Sequence, residues 1–143
     1  MLKSILRRML PITAVLLTFS ACASQHAKLD ANPAFSSHQY SSHDLDISWK
    51  SEKTDTGIRI AGIVTNVRND MPYNALELTA KLLDEQGNLL AQKTHAFPGR
   101  FAGSEPFVMD IPVQNKELAK KVSFSYSYGT EDVHFLRDFK SEL

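Results

Sequence analysis

The scarcest residue in this sequence is cysteine. Cys22 is the only one in 143 residues, so no disulfide within the chain can brace the fold, and the core must do that work. Glycine and proline number six each, which excludes collagen-like and low-complexity chains. There is one tryptophan. No apolar run reaches the roughly 20 residues a membrane-spanning helix needs. An excess of one charge is missing too, with 16 basic and 16 acidic residues. The sequence contains no HExxH, P-loop, nucleophile elbow or dinucleotide fingerprint, and no recognised metal-ligand spacing. It therefore gives no motif-level support to an enzyme and none to a cofactor. No internal repeat points to a solenoid.

The first 21 residues stand apart from the rest. Lys3, Arg7 and Arg8 lie there and no acid does, so the remainder carries 13 basic against 16 acidic residues. A mildly acidic chain with scattered lysines has no electrostatic reason to seek nucleic acid. After the positive start, Met9 to Phe19 is apolar apart from threonines and a proline, and it runs into Phe19-Ser20-Ala21-Cys22. This is the charged, apolar and small-residue order of a helical signal peptide, residues 1–21. Its last four residues resemble the lipobox of bacterial lipoproteins. Phe19, Ser20 and Ala21 stand at the signal-peptidase recognition positions, where Phe19 replaces the usual aliphatic residue, and Cys22 stands at the lipidated one. The resemblance implies diacylation of the sulfur and cleavage before Cys22. Two or three acyl chains, at about 0.8 kcal/mol per buried methylene, would hold the protein to a membrane without a spanning helix. Ala23 replaces the aspartate that favours inner-membrane retention, which implies an outer-membrane anchor facing the periplasm.

Residues 22–44 are rich in Ser, His, Ala and Asn and read as a flexible linker. His26, His38 and His43 lie in it, but a floppy segment is poorly preorganised for metal. Ser41-Ser42-His43-Asp44 has the letters of a catalytic triad. Triads are assembled in space by rigid elements, so adjacency in a linker carries little.

From residue 45 to 143 the period is two. Leu45, Ile47 and Trp49 alternate with polar residues, Ile58 to Val67 is β-branched, and Asn74 to Leu83 alternates cleanly despite its helix-forming composition. Gly62 marks a bulge or a close backbone approach. Asp84-Glu85-Gln86-Gly87-Asn88 is a hairpin turn leading to a partner strand over Leu89 to Ala96. Phe97 to Pro106 reads as a loop crossing between sheets. Phe107, Met109 and Ile111 form a strand, and Asn115 to Lys121 one helical turn capped by Asn115. Val122, Phe124, Tyr126 and Tyr128 alternate with three serines, the clearest strand in the chain. After Gly129 the tail suits either a strand or a helical turn, and its two phenylalanines predict that it docks on the domain. About seven strands in a hundred residues predict an all-β, immunoglobulin-like antiparallel β-sandwich.

Ile60-Ala61-Gly62-Ile63-Val64-Thr65-Asn66, then Leu82-Leu83-Asp84-Glu85-Gln86-Gly87, Pro106-Phe107 and Tyr126-Ser127-Tyr128 resemble, in that order, the pieces of FxLYD-type domains. Leu83 stands where the family's name motif has an aromatic. The resemblance implies a β-sandwich of bacterial envelope proteins and no catalytic residues.

For recognition, the loop Phe97-Pro98-Gly99-Arg100-Phe101 offers two aromatics and an arginine, the residue types of interface hot spots. Phe97, Arg100 and Phe101 are the candidate partner-binding residues, although such loop aromatics also plug the ends of small cores. The functional expectation is a membrane-anchored envelope lipoprotein with a non-catalytic protein-interaction or assembly module and an envelope protein as partner. The alternative is a periplasmic module for a small ligand or metal.

Overall fold

The computed structural model describes residues 37–68, 70–130 and 133–143. They form nine strands: β1 (His38–Ser41), β2 (Leu45–Lys53), β3 (Gly57–Asn66), β4 (Tyr73–Leu83), β5 (Leu89–Ala96), β6 (Arg100–Phe101), β7 (Ser104–Pro112), β8 (Lys121–Gly129) and β9 (His134–Glu142). All pairings are antiparallel. One sheet has the order β1-β2-β3-β7 and the other β5-β4-β8-β9, with β6 added to β4. The chain crosses between sheets after β3, before β7 and after β7. The seven long strands are an immunoglobulin-like sandwich, with β1 and β6 as short additions.

The alternation read from the sequence decides the faces. On β8, Val122, Phe124, Tyr126 and Tyr128 are buried while Ser123, Ser125 and Ser127 lie on the other face. On β4, Leu76, Leu78, Ala80 and Leu82 point inward, so tertiary burial overrides the helical propensity of that segment. The core joins these to Trp49, Ile60, Val64, Phe107 and Met109. Gly62 sits in unbroken register between Trp49 and Phe107, so it is no bulge. A Cβ there would lie 2.2 Å from the Ser48 carbonyl and 2.8 Å from the Phe107 ring. Close approach is what requires glycine. The irregularities lie elsewhere, both on β4: between Asn74 and Glu77, where Ala75 has φ 49°, and between Leu82 and Leu83. Asp84 closes the β4–β5 hairpin by accepting the Asn88 amide at 2.7 Å, with Gly87 at φ 87°.

Two segments differ from the sequence reading, and the tail, for which it gave two alternatives, takes one of them. The linker assigned through Asp44 ends earlier, because His38–Ser41 pairs with β2. His38 and Tyr40 alternate with Gln39 and Ser41, and only packing against the other sheet shows the first two as an inward face. The tail is a strand, β9, along β8. Residues 115–119 form a tight turn with successive i→i+3 bonds, Leu118 to Asn115 and Ala119 to Lys116, and Asn115 Oδ1 accepts the Glu117 amide. The assigned linker positions 22–36, and with them Cys22 and His26, lie outside the described residues, as do the leader positions Phe19, Ser20 and Ala21.

Candidate functional site

Each open side of the sandwich is closed by the side chains of its edge strands. On the β5–β7 side, His95 packs edge-on against Phe97 at 4.7 Å, and Lys93 Nζ donates to the Asp110 carbonyl. On the other side, β1 lies over the gap between β2 and β9. Tyr40 stacks on Phe139 with centroids 3.8 Å apart and planes within 2°, and His38 stacks on Trp49 at 5.4 Å. Beneath them, Trp49 meets Phe124 at 4.9 Å and Phe124 meets Phe139 at 5.0 Å. The result is a groove with an aromatic floor, filled by alternate rings of an extended strand. The Trp49 indole N–H is buried in it without a hydrogen-bond partner.

The turn from β1 to β2 is the second feature of this end. Ser42 N–H donates to the Leu45 carbonyl, so His43 and Asp44 form a two-residue loop. The Ser42 hydroxyl accepts the Asp44 and Leu45 amides and donates to the Leu45 carbonyl, and it lies 3.2 Å from Tyr126 OH. Its hydrogen-bonding capacity is used by the turn, so the triad-like spelling describes a serine turn. Asp44 is 1% exposed, and neither carboxylate oxygen accepts a hydrogen bond of ordinary geometry. His43 Nε2 lies 3.0 Å from Oδ1, on a ring that is 70% exposed. Three tyrosines surround the carboxylate. Burial pushes Tyr73 up to about 12, with the Asp44 charge adding to it. Burial also pushes Tyr126 up to about 12, opposed by its bond to Ser42. Tyr128 is raised further by burial and then by Asp44 beside it. The Asp44 carbonyl is well served, accepting from Tyr73 OH at 3.0 Å and from the Val67 amide.

The outer face of the β1-β2-β3-β7 sheet carries a third feature. Ala61 stands opposite Val108 and Ile63 opposite Pro106, which puts exposed Pro106 and Val108 beside half-buried Ile63 and buried Ala61 on the outer face of β3 and β7. Val108 is 53% exposed. The rim is polar. Arg59 Nε donates to Asp110 at 2.6 Å and its guanidinium lies 3.6 Å from Glu52, which holds the Asp110 carboxyl below the usual carboxylate range. At the other end Thr65 and Ser104 hydroxyls meet at 2.8 Å.

The sequence-predicted partner loop is divided by the fold. Phe97 and Phe101 are buried and meet edge-on at 5.2 Å, so they plug the sandwich and are not available as contacts. Only Arg100 is exposed, opposite Asn74 on β4. Asn66 holds this end together, donating to the carbonyls of Met71 at 2.8 Å and Phe101 at 3.2 Å and accepting the Arg68 amide at 2.7 Å. His38, His43, His95 and His134 are dispersed, and among the described residues no group of three or more His, Cys, Asp or Glu could hold a metal ion. Sequence reasoning missed the groove, the Asp44–tyrosine cluster and the outer-face patch. Their signals were present as the spacing of His38 and Tyr40, and as apolar residues on both faces of β3.

No family model matches the chain, and no curated protein matches it. Among solved structures it is similar to the GAE domain of yeast GGA1, at 17% identity and TM-score 0.44, covering 74% of this chain and 97% of that one. It is also similar to the GAE domain of GGA2p from Saccharomyces cerevisiae, at 18% identity and TM-score 0.41, covering 74% and 96%.

Proposed function

We propose that this protein is a lipid-anchored envelope protein, tethered through Cys22 to the periplasmic face of the outer membrane. Its sandwich serves as a non-catalytic module that binds another envelope protein. The observation that carries the interaction reading is the apolar patch of exposed Pro106 and Val108, with half-buried Ile63 beside them, on a solvent face. An apolar centre with a polar rim is the anatomy of a protein interface. The anchor rests on the leader and on Cys22 as the sole cysteine, and Ala23 after it favours the outer membrane.

Sheet edges are the weaker docking surfaces. β7 carries Pro106 and Pro112, β1 has four residues, and β5 and β9 direct Lys93 and Arg137 toward the sandwich interior, opposite Ala80 and Tyr126. Short strands, prolines and inward charges all blunt an edge.

The test is crosslinking in intact cells of full-length protein with a C-terminal tag. Val108→Asp should leave the protein folded and membrane-bound while reducing the dominant crosslinked partner at least tenfold. An undiminished partner would sink the patch. Cys22→Ala should release the protein from the membrane fraction, and retention there would sink the anchor.

A further inference from the structure

We infer that β1 is an exchangeable strand: two copies of this chain can each place His38–Ser41 in the other's aromatic groove, forming a strand-swapped dimer. This goes beyond the interaction role proposed above and depends neither on the anchor nor on the outer-face patch.

The groove has a known shape because β1 occupies it. It takes an extended segment antiparallel to β2, with His38 opposite Trp49 and Tyr40 opposite Ile47, and it stacks the two rings on Trp49 and Phe139. A second copy supplies that segment with every contact unchanged, which is why swapping is an accessible route to dimers. Only the hinge distinguishes the closed chain from the exchanged one.

The hinge is His43–Asp44, and two observations place strain there. Two-residue hairpin loops match the twist of their strands when central residues take positive φ. Ala75 is the only non-glycine with positive φ among the described residues, so neither His43 nor Asp44 does, and the turn runs against the strand twist. The same turn buries the Asp44 carboxylate, whose Oδ1 has the largely exposed His43 ring 3.0 Å away and whose other neighbour is the Tyr128 phenol. A short hinge under strain invites exchange. Opening joins β1 and β2 into one continuous strand and lets the carboxylate reach water. The short link also gives the closed form a high effective concentration, on the order of millimolar, so exchange needs a crowded chain, as refolding at high concentration provides.

The experiment uses full-length chains carrying Cys22→Ser. One set carries Gln39→Cys and a second, differently tagged set carries Ser48→Cys, two positions that face each other across β1 and β2 in register. The two sets are unfolded together, refolded at high concentration and oxidised. The expected result is a mixed disulfide at least tenfold more abundant than from Gln39→Cys with Glu52→Cys, which is out of register. Equal yields from the two pairings would overturn the exchange. A single chain with both Gln39→Cys and Ser48→Cys should close the bond within itself when dilute, showing that the pairing survives substitution. Failure of that bond would overturn the register on which the exchange depends. His43→Asn with Asp44→Gly supplies residues suited to a twist-matched turn and should lower the mixed disulfide at least fivefold. An undiminished yield would overturn hinge strain as the driving force.

Discussion

Two residues on β3 and β4 show how differently a small side chain can be required. Gly62 is demanded by its surroundings, since the Ser48 carbonyl and the Phe107 ring leave no room for a Cβ. Trimming Phe107 would not relieve the contact with backbone. Ala75 is the opposite case. Its surroundings place no glycine there, yet its φ of 49° is a left-handed conformation that costs an L-residue about 1–2 kcal/mol. Glycine would remove that strain and add a smaller loss of backbone entropy, about 0.5–1 kcal/mol. Ala75→Gly is therefore expected to stabilise the domain by about 0.5–1 kcal/mol. Urea unfolding should show a raised midpoint with an unchanged slope, and a lowered midpoint would contradict the strain argument. Gly62 was visible in the sequence as a break in a β-branched strand, but its cause was not, because the atoms that crowd it come from β2 and β7. Ala75 gave no signal, since nothing in an alanine's neighbours along the chain marks it as left-handed.

At the level of strands, the exposed edge of β9 poses the problem. β9 presents nine residues, with Leu136 66% exposed on the outer face, and its other side has no strand neighbour in its sheet. Phe135 and Phe139 pack inward while Arg137, between them and on the same side, stays exposed. An inward charge on an edge obstructs pairing with another sheet. Arg137→Val should leave the unfolding midpoint within about 0.5 kcal/mol and promote edge-to-edge association, seen as a rising particle mass by light scattering. A variant that stays monomeric at every concentration would show that the edge is guarded by something else. The strand identity of the tail was ambiguous in the sequence because Phe135, Leu136 and Phe139 satisfy both periods. Pairing with β8 settles it, since Phe135 and Phe139 come opposite Tyr128 and Phe124, the inward residues of that strand.

Across the whole molecule, buried phenols tie stability to alkaline pH. Tyr73 and Tyr126 are raised to about 12 and Tyr128 is raised as well, above the value near 10 expected in the unfolded chain. The folded state therefore keeps protons that the unfolded chain gives up. Stability from these groups is fully present below pH 10 and is lost as pH rises toward 12. Each tyrosine contributes a slope of up to about 1.4 kcal/mol per pH unit across that window. Denaturant midpoints measured against pH should fall above pH 10, with tyrosinate absorbance appearing together with unfolding. Tyrosinate absorbance rising near pH 10 in the folded protein would contradict burial as the cause. All three phenols lie around the β1–β2 turn, so this end should be the first to loosen.

What the sequence determined by itself was local in origin. Period-two alternation decided which residues of β2, β4, β7 and β8 face inward, and Asp84 and Gly87 decided a hairpin. These features depend on neighbours a few positions apart, where the chain's own geometry sets the outcome. The tertiary structure decided what depends on distant partners. It buried Phe97 and Phe101 and left Arg100 exposed, brought Asp44 among Tyr73, Tyr126 and Tyr128, and assembled Ile63, Pro106 and Val108 into one patch. It also turned His38–Ser41 from apparent linker into a strand, because two rings become an inward face only when Trp49 and Phe139, from opposite sheets, are there to receive them.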